Sequence, residues 1–294
     1  MYRCAFVASY RSPNRTEDFG QTAINVRIKV MSLPLFHIDV FTNGPFTGNP
    51  AAVCPLKAWL DDKLLLAVAA ENNLSETAFF VTEGEHYRLR WFTPRCEVNL
   101  CGHATMASAF VLLKILEPQR EFVSFATRSG ILTVRREQDL FSMDFPALPP
   151  WPCPAPPTDL IEGLGPQSQP VSTLQIEDNY FVVYESEDEV RGVSPELGLL
   201  EKLHPAGVAV TAPGNECDFV SRYFVPSYGI PEDPVTGSTH CSLAPYWAKR
   251  LGKTSLHARQ ASERGGELWC ELAGDRVVLK GKAVLTLQGS LLVG

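Results

Sequence analysis

Glu76 lies in Leu74-Ser75-Glu76-Thr77-Ala78-Phe79-Phe80, a stretch of strand character whose alternation puts it on one face with Leu74, Ala78 and Phe80. A carboxylate on an apolar face is costly unless paired or protonated, and such a group is suited to proton transfer. If the opposite face is the inner one, Glu76 is a solvated charge. His103 follows Gly102 at a tight turn, where it can donate a proton, contact a substrate or simply pack. Asp233 precedes Pro234, and both turn initiation and substrate orientation suit it there. Gly102 and Gly237 each lead into a helix start. Exposed N–H groups and the positive end of the helix dipole would meet a small anion there with no Cβ in the way. Ser238, Thr239 and Thr105 beside them are ordinary capping types. His240 falls in the first helical turn and reads as structural.

Cys101 invites a second chemistry. A thiol at a helix N-terminus is expected to have a lowered pKa and to serve as a base. A racemase with two such thiols needs a cysteine at the matching place, but that position is Thr236. Threonine cannot exchange protons as a thiol does at neutral pH.

These residues sit in a duplicated frame. Arg90-Trp91-Phe92-Thr93-Pro94 leads through Glu97 to Cys101-Gly102-His103, and Arg222-Tyr223-Phe224-Val225-Pro226 leads through Glu232 to Thr236-Gly237-Ser238. Arg222 lies 132 positions after Arg90, and Gly237 lies 135 after Gly102. Each copy reads as strand, loop, glycine turn and helix. The first helix, expected over 104–116, is apolar on nearly every face and should be wrapped by strands. A second is expected over 241–251. Two halves, each offering a helix start to a shared cleft, make an α+β fold with a pseudo-twofold the best reading.

Seven prolines between Pro146 and Pro157 mark a linker over 146–157, with a first lobe over 31–145 and a second over 158–286. Residues 1–30 read as a poorly ordered extension without the apolar core of a signal peptide. Glu185 to Glu189 reads as a solvated acidic loop. Asp61 is placed as the cap of a helix ending near Asn72-Asn73, and Arg264-Gly265-Gly266 as a turn between strands.

Composition narrows the partners. A net charge of −7 without Lys/Arg clusters argues against nucleic acid. No run approaches the roughly 20 apolar residues of a membrane span. The eight cysteines include no C-x-x-C pair, which argues for free thiols in the cytoplasm and against a zinc site.

Several of these stretches together resemble the phenazine biosynthesis PhzF-like family: Gly48-Asn49-Pro50, Ser75-Glu76-Thr77-Ala78-Phe79, Phe92-Thr93-Pro94, Cys101-Gly102-His103-Ala104-Thr105, Glu232-Asp233-Pro234-Val235-Thr236-Gly237-Ser238 and Arg264-Gly265-Gly266-Glu267-Leu268. The resemblance covers about 31–294. It implies a diaminopimelate-epimerase-like fold: two pseudo-symmetric lobes, each a barrel-like sheet around a central helix, with residues 287–292 crossing back to the first lobe. It also implies a homodimer and a cofactor-independent, metal-independent isomerase. The family's characterised member isomerises dihydro-hydroxyanthranilate. Carried over by motif, Glu76 is the general acid/base, and Gly102, His103, Asp233, Gly237 and Ser238 bind a carboxylate-bearing substrate. The alternatives are an amino-acid racemase using Cys101 and a binding protein without turnover.

Overall fold

The computed structural model describes residues 31–84, 86–165 and 169–293. The extension over 1–30 lies outside the described residues.

The first lobe runs β1 (Met31–Val40), β2 (Asn49–Leu56), α1 (Asp62–Asn72), β3 (Glu76–Glu83), β4 (His86–Phe92), β5 (Glu97–Val98), α2 (Gly102–Phe110), β6 (Phe122–Thr127), β7 (Gly130–Glu137) and β8 (Leu140–Pro146). β9 (Trp151–Pro152) and α3 (Thr158–Gly163) connect it to the second lobe. There follow β10 (Ser172–Ile176), β11 (Asn179–Val183), α4 (Glu187–Gly192), α5 (Leu197–Leu200), β12 (Gly207–Pro213), β13 (Phe219–Val225) and β14 (Ile230–Asp233). α6 (Gly237–Leu251), β15 (Ser255–Gln260), β16 (Gly266–Ala273), β17 (Arg276–Gly281) and β18 (Ala283–Val293) complete the chain.

The duplication is visible in the pairing. β2 and β3 run parallel, as do β11 and β12. β4 pairs parallel with β6 across α2, and β13 pairs parallel with β15 across α6. β6, β7 and β8 form an antiparallel meander, and so do β15, β16 and β17. β8 pairs with β17 and joins the two lobes in one sheet.

Each inner helix is buried for the reason its composition implies. α2 places Ala104, Met106, Ala107 and Ala109 in the main core, whose members also include Leu243, Ala244 and Trp247 of α6. Val111–Leu116 continue α2 as a π-helix, closed by Glu117 N–H donating to Leu112 O at 2.7 Å. On the outer face of β2 and β3, α1 forms a second core with Cys54, Leu65 and Phe79. These strands are therefore covered on both faces, as parallel strands usually are. α3, α4 and α5 cover the equivalent outer face of the second lobe.

Pro245 lies inside α6 and cannot donate to the carbonyl of Cys241. Leu148 N–H donates to that carbonyl instead, at 2.9 Å, so the proline-rich connection is pinned where the helix has a free acceptor.

Three local expectations change. The stretch 146–157 is not wholly irregular, because Pro146 ends β8 and Trp151–Pro152 pair with Gln175 and Leu174 of β10. The acidic run is not a solvated loop. Ser186 caps α4 with a reciprocal bond to Glu189, and buried Glu187 holds Arg191 and the Asn215 N–H. The last strand begins at Ala283, ahead of 287, and pairs with β1 from Ala283–Val40 to Val293–Met31. Asp61 caps α1 by accepting from Lys63 N–H at 2.9 Å. Among the described residues no helix is long and apolar enough to cross a membrane.

Candidate active site

Glu76 opens β3, opposite Ala51 of β2 in a parallel register. Ala78 and Phe80, in phase with it, belong to the main core against α2, so Glu76 shares the face that looks toward that helix. Its side chain is 13% exposed. His103, 7% exposed, is the second residue of α2. Its Nε2 lies 3.2 Å from Glu76 Oε2, close enough for an ion pair. The two groups are not aligned as a hydrogen bond, and both buried atoms lack a hydrogen-bond partner among the described residues.

The other side of the imidazole faces donors. Asn49 Nδ2 lies 3.4 Å and Cys101 Sγ 3.5 Å from His103 Nδ1. Both Asn49 amide hydrogens are taken by Asp233 and Val235 O, so the Cys101 thiol is the donor left for Nδ1, which puts the proton of the neutral ring on Nε2, toward Glu76. Burial opposes a charge on this ring. The negative charge of Cys101 when ionised, and that of Glu76, outweigh burial and hold its pKa well above the ordinary value.

Cys101 corrects an expectation. Burial first, then the Glu76 charge, push its thiol up to about 11 rather than down. It is a thiol at neutral pH, where it lends His103 no negative charge.

The second lobe contributes Asp233, the last residue of β14, buried 14 positions ahead of Trp247 on α6. Its Oδ1 accepts from Asn49 Nδ2 at 2.9 Å, and its Oδ2 accepts from the Thr236 hydroxyl. Burial is the largest influence on its carboxyl and raises the pKa to about 6; the His103 charge and these hydrogen bonds lower it, and the Glu76 charge raises it.

Gly102 and Gly237 are the first residues of α2 and α6. The caps preceding them are Cys101 and Thr236, and neither makes a side-chain capping bond. Thr105 and Thr239 bond backward to the carbonyls of Cys101 and Thr236, so they are not the caps their type suggested. Neither glycine has a left-handed φ, and a Cβ would meet nothing closer than 3.8 Å at Gly102 and 3.5 Å at Gly237. Neither backbone strain nor packing requires glycine there. Ser238 is exposed and shares no hydrogen bond with the other residues of the group. His240 is buried and its Nδ1 donates to Thr236 O at 2.7 Å, a structural role.

Two residues of this site escaped the sequence reading. Asn49 reads as part of a Gly-Asn-Pro turn, yet it donates from the first lobe to Asp233 and to Val235 O, at 2.9 and 2.8 Å, in the second. Gln260 braces the same loop, accepting from Thr236 N–H at 2.9 Å and donating to Asp233 O at 2.7 Å. Each is a polar residue in phase with buried neighbours, Ala51 and Val53 for Asn49, Leu256 and Ala258 for Gln260. That was the available signal.

Two lobes whose inner helices start beside a carboxylate, an imidazole and a second carboxylate bring together groups able to take and return protons. The family model for phenazine biosynthesis-like proteins (PhzC-PhzF) matches residues 38–289, and the chain belongs to that family. An uncharacterized isomerase of Pseudomonas aeruginosa is 54% identical over 261 residues, covering 89% of this chain and 99% of that protein. A crystal structure of a PhzF-family phenazine biosynthesis protein from Enterococcus faecalis superposes with a TM-score of 0.85 at 44% identity, covering 89% of this chain and 99% of its own. A predicted epimerase of Pseudomonas aeruginosa shares the fold, with a TM-score of 0.68 at 20% identity over 89% of this chain and all of its own, 100%.

Proposed function

We propose that this isomerase moves a proton between two carbon positions of a small carboxylate-bearing, amino-bearing metabolite, with Glu76 as the proton carrier. The observation that carries this reading is the Glu76–His103 pair: two solvent-shielded polar atoms 3.2 Å apart at the start of a helix, with no aligned hydrogen bond among the described residues. Glu76 takes a proton from substrate carbon, and the electron pair spreads into the conjugated carboxylate. The uncapped N–H groups at Gly102 and Gly237 and the His103 Nε2–H favour that negative charge. Glu76 then returns the proton to another carbon, so the substrate is isomerised with no net gain or loss. Asp233, ionised above about pH 6, accepts from the substrate amino group. No organic or metal cofactor enters these steps. A Cys101 racemase is disfavoured by a thiol held at about 11 and by Thr236 at the matching place. The free thiols at Cys54, Cys101, Cys153, Cys241 and Cys270, all buried, support a reducing, cytoplasmic setting.

The test is hydrogen exchange in deuterated water, with dihydro-hydroxyanthranilate and a panel of cyclic amino carboxylates, read by proton NMR. Glu76→Gln keeps the size of the side chain and removes the ionisable group. It is expected to slow exchange by about 10²–10⁴-fold, with ligand binding little changed. Near-parental turnover by Glu76→Gln on an accepted substrate would refute the mechanism. A comparable loss in Cys101→Ser with Glu76→Gln active would move the chemistry to the thiol.

A further inference from the structure

The strand carrying Glu76 and the turn carrying Cys101 and His103 bring together three side chains that ligate metals. A ligand atom from each of Glu76, Cys101 and His103 lies within 4.8 Å of the other two. Cys101 Sγ stands 3.5 Å from the imidazole on one side, and Glu76 Oε2 stands 3.2 Å from it on the other. A tetrahedral Zn²⁺, with bonds of about 2.0–2.3 Å to N, O and S, sets its ligand atoms roughly 3.3–3.6 Å apart. The thiol and the carboxylate flank opposite ring nitrogens, so closing the trio around one ion on a single nitrogen requires side-chain rotation that draws atoms now within 4.8 Å of one another to that spacing.

A second observation points to a ligand here. Glu76 Oε2 and His103 Nε2 are buried and meet only each other, at 3.2 Å and out of hydrogen-bond alignment, so their burial is incompletely compensated and both can turn to a ligand. The donor set is one sulfur, one imidazole nitrogen and one carboxylate oxygen, which selects a borderline-soft cation over Mg²⁺ or Ca²⁺. Asp233, whose field reaches His103, adds negative charge nearby. From this geometry we infer that Glu76, Cys101 and His103 form a reversible binding site for a thiophilic divalent cation, Zn²⁺ fitting best, which shuts the active site. The thiol proton is released to solvent as the sulfur–metal bond forms, with no change of oxidation state. The fourth position falls to water or a small anion. The binding itself stands on the ligand geometry. Inhibition rests on the proton role proposed above for Glu76, since the ion takes the carboxylate and imidazole that the reaction uses.

The experiment titrates the reduced, full-length protein with Co²⁺, then displaces it with Zn²⁺. The parent protein is expected to show near-ultraviolet cobalt–thiolate charge-transfer absorption that Zn²⁺ abolishes. Cys101→Ser should lose that absorption, while Cys96→Ser, which removes an exposed thiol, should keep it. Glu76→Gln and His103→Ala should weaken Zn²⁺ binding by about tenfold or more, since even second-shell losses cost that much. Near-ultraviolet circular dichroism checks that each variant is folded. Should Cys101→Ser fail to fold, the weakening in Glu76→Gln and His103→Ala decides. No cobalt–thiolate absorption in the parent, or an undiminished one in Cys101→Ser, overturns the site. Exchange lost in Glu76→Gln without any cobalt–thiolate signal refutes the metal site alone. Zn²⁺ bound through these ligands with exchange untouched refutes the inhibition and the role of Glu76 together.

Discussion

Asp233 is held by hydrogen bonds from both lobes, and its burial nevertheless raises its pKa from 3.8 to about 6. Between those values the unfolded chain gives up this proton while the folded chain keeps it. The stability Asp233 contributes is thus full below about pH 4 and lost as pH rises through 6. About 2 pH units of displacement correspond to a cost on the order of 3 kcal/mol above pH 6. Asp233→Asn removes the titration and can keep an acceptor for Asn49, while the Thr236 hydroxyl turns to accept. The variant is therefore expected to gain stability relative to the parent as pH rises from 4 to 7, and to bind an amino-bearing ligand more weakly. Urea unfolding at both pH values measures the first, and calorimetric titration the second. A parent–variant gap that does not change with pH would contradict the burial argument.

The repeated element explains why both helix starts are presented alike. Arg90 of β4 clasps Glu97 with two bonds of 2.8 Å, and Arg222 of β13 clasps Glu232 at 2.8 and 3.0 Å. In each lobe this bidentate pair ties a strand to the loop that leads into the inner helix. The lobes are then locked by the turn before β16. Arg264 donates to Gly48 O and Asp39, each at 3.0 Å, while Gly48 N–H donates to Gly265 O at 2.7 Å and Glu267 N–H to Phe41 O at 2.8 Å. Gly266 has no room for a side chain: a Cβ would stand 2.4 Å from Val235 Cγ2 and 2.5 Å from Phe41 O. Gly266→Ala must therefore push apart the Asp233–Thr236 loop and the first lobe. We expect a loss of about 1–3 kcal/mol in thermal unfolding, the usual range for overpacking. Ligand affinity should also fall, because Asn49 loses its grip on Asp233. A variant that melts and binds like the parent would show that the seam yields freely.

At the scale of the molecule, the second lobe's last strand belongs to the first lobe. β18 pairs with β1 over its whole length, and β8 pairs with β17, so neither lobe is closed by its own contiguous chain. This crossing leaves Leu287 and Leu292 exposed. Together with the resemblance that implies a homodimer, this exposed strand leads us to expect association of two copies. Sedimentation should give twice the 32.4 kDa chain mass, and the monomer mass at micromolar concentration would sink the idea.

The sequence by itself determined the duplicated plan, because periodicity, proline placement and glycine turns act over a few residues and report their own neighbourhood. Arg90 to Gly102 and Arg222 to Gly237 were legible as copies, and all-round apolar character marked the first helix as buried. The face of Glu76 could not be settled that way, because both faces of β3 are covered, one by α2 and one by α1. Only the tertiary structure decided that Glu76 meets His103, residues from a strand and a helix separated by β4 and β5. It also reversed the sign for Cys101: a helix start alone favours the thiolate, but burial and the neighbouring carboxylate oppose it more strongly. Asn49 stayed hidden because its partners lie across the seam, Asp233 being 184 residues away, and Gln260 because its partners in the Asp233–Thr236 loop lie 24 and 27 residues away on another element. A local pattern records which face a residue takes, whereas desolvation and charge depend on which distant groups that face meets.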